Sequence, residues 1–334
     1  MRTLRAGAAV LLTVASVASA TTRQPELRLV SVAKLPGSFV APQTIYADFE
    51  RVFACSYQGD VFVLERDRQN DFPWIQTINL GTPLTAVRGD EQYLYVTSRN
   101  GNLFVFAKTW PIQLLYSVSL SNYGLGAVEV VGTNVYVAKG QAAMTASKNR
   151  LYLSALNPGD VALDVTTMRS YGDRFEPKST LVFDRESREL VGVIPNPQPG
   201  AIRITTSQDF MYLTKPGCCG IGIDVFDAVT LKRLQFINRA ATNTVAEIRR
   251  KGTPLLVSGN EAGSVDLYMF GEDGYDLVSV ADLRALTGFN GSEDIEIRGL
   301  WVDGFDNLVF AASSWGNDRS RSPDLPSMFV LEIR

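Results

Sequence analysis

Short apolar phrases bounded by polar turns recur along this chain. Val52-Phe53-Ala54, Leu94-Tyr95-Val96, Val135-Tyr136-Val137, Met211-Tyr212-Leu213, Leu255-Leu256-Val257 and Leu308-Val309-Phe310 begin at 52, 94, 135, 211, 255 and 308, spacings of 42, 41, 76, 44 and 53. Their β-branched and aromatic content reads as strand. A strand unit returning every 40 to 45 residues or so is the signature of propeller blades. Each blade is a small sheet that cannot bury its faces alone, so blades stack around an axis.

Further strands flank each phrase. In the second repeat, Leu84 to Arg88 precedes it, and Asn102 to Phe106 and Leu114 to Leu120 follow, with Asn100-Gly101 between strands. Asn-Gly between apolar runs is a strong hairpin signal. Third strands rhyme as well, among them Val61 to Leu64, Leu103 to Phe106, Leu181 to Asp184 and Met328 to Leu331. The last repeat lacks a fourth strand because the chain ends at Arg334, while Leu27 to Leu35 is a spare strand near the start. Pairing the two closes the ring and removes free edges. The spacing of 76 leaves two readings. The first is an all-β propeller of six four-stranded blades, with a hairpin inserted into blade three at about 139–178. The second is seven blades, one of them degenerate.

Residues 1–20 read as a signal peptide. Arg2 and Arg5 precede the apolar run Ala6 to Ala15, and Ala18-Ser19-Ala20 is an A-x-A cleavage site. The expectation is a secreted or periplasmic protein with a single propeller domain over 21–334. No other segment is long and apolar enough to span a bilayer. The net charge of -3 shows no basic patch, so nucleic acid is not an expected partner.

Histidine is absent. This removes the usual neutral-pH general base, the Ser-His-Asp and Cys-His nucleophile systems, and the commonest transition-metal ligand. Chemistry here would rest on carboxylates, Lys, Tyr, Arg, a thiol or a bound cofactor.

Tyr93-Leu94-Tyr95-Val96-Thr97 with Asn102-Leu103-Phe104-Val105-Phe106 resembles the YVTN and LVIVD-type repeats of secreted propellers. Leu300 to Phe310 resembles an NHL-type strand-turn-strand. The resemblance covers most of the chain and implies a propeller with a binding surface. Such families include binding scaffolds, lactonases, glycosidases and quinoproteins, so it implies no single function.

Charges interrupt the first strands at Glu129, Arg203, Glu247, Glu296 and Arg298. Alternation turns Glu129, Arg203 and Glu247 away from their apolar neighbours, and the first strand of a blade lines the central channel. These residues are read either as a salt-bridge ring or as a polar-ligand site. Carboxylates there could hold calcium, although Arg203 argues against a simple cation site; otherwise no cofactor or metal is expected. Cys218-Cys219, flanked by Gly217 and Gly220, is suited to a vicinal disulfide in an oxidising compartment, with Cys55 left as a buried thiol. The loop after the second strand is long in three blades. It carries Trp315, Asp318, Arg319 and Arg321 in the last, Tyr171 and Arg174 in the insertion, and Cys218 and Cys219 in the fourth. Long polar and aromatic loops on a rigid scaffold are where function usually resides.

Two functions follow. The first is a monomeric binding or scaffold protein, without catalysis, that recognises a protein or a small polar or carbohydrate ligand through these loops. The second is a carboxylate-based hydrolase or lyase acting on a sugar, lactone or phosphoester at the channel, with Glu129, Glu247 and Glu296 as acid and base and Arg203 and Arg298 stabilising charge.

Overall fold

The apolar phrases are continuous rather than alternating because each strand is covered on both sides. In blade 2, Leu94 and Val96 pack toward Phe53, Cys55 and Val63, while Tyr95, Leu103 and Val105 pack toward Val128, Val135 and Val137. Truncating such a wedge residue, as in Leu94→Ala, would cost about 2–5 kcal/mol. The computed structural model describes residues 24–67, 71–140, 142–154, 159–171, 179–196, 203–215, 221–288, 295–315 and 326–334. Among them, seven core clusters fill seven clefts between seven four-stranded antiparallel sheets.

Six blades with an insertion is therefore corrected to seven. Blade 1 is Ile45–Ala47, Arg51–Cys55, Asp60–Glu65 and Trp74–Asn79. Blade 2 is Leu84–Gly89, Tyr93–Ser98, Asn102–Ala107 and Gln113–Ser119. Blade 5 spans Arg203–Thr206 to Arg233–Ala240, and blade 6 spans Thr242–Arg250 to Gly274–Asp282. A one-turn helix, Leu283–Thr287, follows blade 6, capped by the Asp282 side chain on the backbone N–H groups of Arg284 and Ala285.

Blades 3 and 4 are interleaved. Leu125–Val131 and Asn134–Lys139 begin blade 3, and the chain then crosses to lay down Ala143–Ser147 and Arg150–Ser154 as the inner pair of blade 4. It returns to finish blade 3 with Val161–Asp164 and Arg169–Tyr171, and crosses again to finish blade 4 with Ser179–Asp184 and Leu190–Pro195. The expected inserted hairpin is thus one strand from each of two blades. The seventh copy of the phrase is Leu151-Tyr152-Leu153, and the crossing displaces it from the period: it begins 16 residues after Val135 and 60 before Met211. The crossing is tight. Gly140 has φ +82, a backbone conformation that L side chains rarely adopt, and a Cβ there would lie 1.9 Å from Asp160 Oδ1, so a side chain would be strained.

Blade 7 contains Ile295–Asp303, Leu308–Trp315 and Met328–Ile333, and its outermost strand is Leu27–Ala33. Leu27 pairs with Ile333 and Ala33 with Met328, as the spare strand predicted. The ring is closed by hydrogen bonds between the two ends of the chain, and Glu26 and Arg334 exchange backbone hydrogen bonds of 3.2 and 3.0 Å. Among the described residues no helix is long and apolar enough to cross a membrane.

Candidate functional site

Seven innermost strands surround an axial cavity of about 1000 Å³. Six of them contribute lining residues, among them Thr85, Leu125, Met144, Thr205, Val245 and Leu300, and Pro42 and Gln43 lead into the seventh. Its mouth is ringed by Tyr57, Gln58, Arg99, Tyr123 and Gly140, which follow strand ends on the face where the chain passes from blade to blade. Tyr123 is 88 % exposed at that rim.

Polar groups bridge the channel. Gln43, before the first strand of blade 1, accepts from the Val128 backbone N–H at 3.1 Å and donates to Glu129 Oε1 at 2.6 Å and to the Met144 carbonyl at 3.3 Å. Its own carbonyl accepts from Val87 N–H at 2.8 Å, so one residue ties blade 1 to blades 2, 3 and 4. Arg88 of blade 2 lies 3.9 Å from Glu129, donates to the Ile45 carbonyl at 3.1 Å, and stacks 5.0 Å from the Trp301 ring. Burial raises the Glu129 carboxyl above its ordinary value, and Arg88 and the Gln43 hydrogen bond pull it back. Burial also lowers the Arg88 guanidinium, opposed by Glu129.

Glu129 and Arg203 therefore do line the channel, as alternation predicts. Arg203, at the start of blade 5, donates to the Arg298 carbonyl at 3.1 Å. Burial, followed by the neighbouring Arg298 cation, lowers its pKa to about 9. Glu247 also lies along the cavity wall. Although it sits beside the cavity, its carboxylate is 2 % exposed and turned into the cleft between blades 5 and 6. There it accepts from the Tyr212 hydroxyl and, at 3.4 Å, from the Tyr275 hydroxyl, and it pairs with Arg249 at 3.3 Å. Side chains of an innermost strand alternate between two neighbouring clefts, and Glu247 shares its side with Val245, which packs in the same cleft. Glu296 and Arg298 pair with each other, with Arg298 Nε donating to Glu296 Oε2 at 2.7 Å and Ser314 Oγ donating to the same oxygen at 3.2 Å. Each of the three carboxylates has its own arginine: Arg88 for Glu129, Arg249 for Glu247 and Arg298 for Glu296.

Tyr171 is a second correction. It is 2 % exposed and packs between Tyr136 and Phe183, 6.0 and 5.8 Å away, with its hydroxyl donating to the Arg185 carbonyl at 2.9 Å. It ends the outer strand of blade 3 instead of starting a loop, so it is core and not rim. Arg174, Cys218, Cys219, Asp318, Arg319 and Arg321 lie outside the described residues, as does the Trp315 side chain. Cys55 is free and buried. In the turn between the first two strands of blade 7, Asp303 and Asp306 meet Arg66 at 2.8 and 2.5 Å. Among the described residues no group of three or more acidic or Cys side chains is placed to hold a metal.

Sequence reasoning missed Arg88, Gln43 and Trp301. The signal for Arg88 was present: Leu84-Thr85-Ala86-Val87-Arg88 repeats Leu125-Gly126-Ala127-Val128-Glu129 position for position. Gln43 precedes its strand and carries no comparable mark.

No family model matches the chain, and no curated protein matches it. Solved structures do. The WD40 repeats of RRP9 match with a TM-score of 0.63 at 12 % identity, covering 93 % of this chain and 99 % of that one. The WD40 β-propeller domain of Doa1 matches at 0.62 and 11 %, covering 92 % and 96 %. A chain of a mitotic checkpoint complex matches at 0.60 and 10 %, covering 94 % and 98 %. At such identities the likeness shows the fold alone: the chain is a β-propeller with WD40-like structural neighbours.

Proposed function

We propose that this protein is an exported binding scaffold that takes up a partner or small polar ligand on the face where the channel opens. The observation that carries this reading is the axial cavity of about 1000 Å³, which is at the upper end of ligand-pocket sizes and has its mouth among the inter-blade connections. Rigid strands fix its walls, and the connections are free to vary. The pairing of Glu129, Glu247 and Glu296 with separate arginines favours binding over the hydrolase reading, because general acid and base groups must converge on one substrate bond. A propeller neighbour that sits in a mitotic checkpoint complex adds analogy. Residues 1–20 support export, and the strand phrases support kinship with YVTN and NHL-like secreted propellers. Trp315, Asp318, Arg319, Arg321 and Arg174, with a Cys218–Cys219 bond, form the proposed outer wall.

The test is capture of partners from an extract of the source by immobilised protein, beside a ligand screen by thermal shift. A Trp315→Ala/Arg319→Ala variant should lose the partner with its unfolding midpoint unchanged. Turnover of a substrate that is abolished by Glu129→Gln would overturn the reading in favour of hydrolysis.

A further inference from the structure

The charges that line the cavity do not cancel. Arg88 is answered by Glu129, and Glu247 by Arg249. Arg203 has no carboxylate within ion-pair distance among the described residues; its hydrogen bond goes to the Arg298 carbonyl, and the Arg298 guanidinium is already held by Glu296. Glu261 and Glu296 are near enough to be felt by Arg203 without pairing with it. Arg99, at the mouth, stacks on Tyr57 at 5.4 Å and donates to its hydroxyl, again with no carboxylate partner among the described residues. The cavity therefore presents two cations in excess, one in its wall and one at its rim.

The remaining polar lining consists largely of hydroxyls. Thr205 Oγ1 donates to the Val245 carbonyl at 3.0 Å, Thr85 Oγ1 donates to the Leu125 carbonyl at 2.7 Å, and the Thr145 and Thr206 hydroxyls lie 3.2 Å apart. A hydroxyl that gives its proton to a carbonyl keeps lone pairs for an incoming donor. The collar thus offers acceptors beside a guanidinium that offers donors.

We infer that the axial cavity is the binding site of a small organic anion, with its carboxylate or phosphate on Arg203 and its hydroxyl or amine donors on the threonine collar. This rests on the binding reading above and names the ligand class for it. A guanidinium meets a carboxylate or phosphate through two parallel hydrogen bonds, a geometry that an ammonium lacks. An entering anion would also answer a cation that burial and Arg298 both disfavour. A neutral ligand would leave that charge as it is, so the site discriminates by charge before shape.

The test compares four probes on the full chain by thermal shift and calorimetry: glucuronate, glucose 6-phosphate, inorganic phosphate and glucose. The two organic anions should raise the midpoint at millimolar concentration, since a ligand that binds only the folded state stabilises it. Glucose should not. Whichever of glucuronate and glucose 6-phosphate binds more tightly identifies the anionic group, and inorganic phosphate should bind more weakly than either because it lacks the body. Arg203→Gln should weaken the anions at least tenfold, and Arg203→Lys should recover only part of the loss. Both variants must keep the far-UV spectrum and cooperative unfolding of the parent. The inference is overturned if glucose binds as well as glucuronate, if Arg203→Gln binds the anions unchanged, or if no anion shifts the folded protein. A partner captured equally by Arg203→Gln and parent would leave the scaffold reading standing while the anion site falls.

Discussion

The Gln43 side chain reaches from the edge of blade 1 across the channel and donates to Glu129 of blade 3 at 2.6 Å. Its amide oxygen takes the Val128 N–H at 3.1 Å in the same span. Ring closure by Leu27–Ala33 holds the disc at its rim, and this residue holds it at the axis. Gln43→Ala removes these two bonds together with the one to the Met144 carbonyl, and leaves buried groups unsatisfied. It should lower the unfolding free energy by about 2–6 kcal/mol, at about 1–3 each for the Val128 N–H and the Glu129 carboxylate. Urea denaturation checks this, and a loss below ~0.5 kcal/mol would show that water replaces the amide without cost.

Arg88 and Glu129 should behave as a pair whose value depends on pH. The Glu129 carboxyl is raised in the folded state, chiefly by burial, and Arg88 limits that rise. A group with a raised folded pKa contributes stability below its unfolded value of about 4.5 and loses it as pH rises through the folded pKa. Without Arg88 the folded value climbs further and the loss grows. Arg88→Met should therefore destabilise more at pH 7.5 than at pH 3, well below the unfolded value, where the carboxyl is protonated in the folded and unfolded states alike. Equal destabilisation at the two pH values would mean that the arginine acts through its stacking on Trp301 alone.

Tyr212 and Tyr275 share one carboxylate. Tyr212 donates to Glu247, its hydroxyl lies 2.7 Å from that of Tyr275, and Tyr275 is a second donor at 3.4 Å. Burial raises both phenols, so they remain protonated donors. Tyr212→Phe should cost about 1–3 kcal/mol. Tyr275 can turn to take its place, so the double change to Phe should cost more than the two single changes combined. Additive losses in a double-mutant cycle would refute the substitution of one donor for the other.

Interleaving makes blades 3 and 4 a single cooperative unit. Neither sheet is complete until the chain has crossed between them, so opening one strands half of the other. Native-state hydrogen exchange should give amides of Asn134–Lys139 and Arg150–Ser154 the same opening free energy. A lower value for one blade would show that the crossings are slack.

Cys55 should resist thiol reagents in the folded protein. It is buried, and desolvation pushes its thiol up to about 12, so the reactive thiolate is scarce at neutral pH. Labelling should follow the global unfolding rate. For Cys218 and Cys219, intact mass under denaturing alkylation decides the proposed bond: two alkylations fewer in the unreduced sample than in the reduced one.

Much of the architecture could be read from one residue class. The phrases at 52, 94, 135, 211, 255 and 308 mark second strands that are wedged between neighbours, and burial on two faces demands unbroken apolar runs. Leu27–Ala33 as the closing strand was equally legible, because a missing partner and a spare strand imply each other. The seventh blade was not. Leu151-Tyr152-Leu153 carries the same apolar signal, but periodicity assumes that sequence order follows ring order, and a double crossing breaks that assumption without altering composition.

The charged residues divide along the same line. Chain alternation determines that Glu129 and Glu247 point to opposite sides from their immediate neighbours, and both do. Which cleft each side faces depends on the stacking of whole blades, and that places Glu129 against Gln43 and Arg88 while it turns Glu247 onto two tyrosines. Local pattern is a property of one strand and is written in its residues. The meeting of Gln43 with Glu129, the pairing of Arg88 across a blade boundary and the place of Arg203 beside Arg298 arise from strands far apart in the chain, and only the closed ring brings them together.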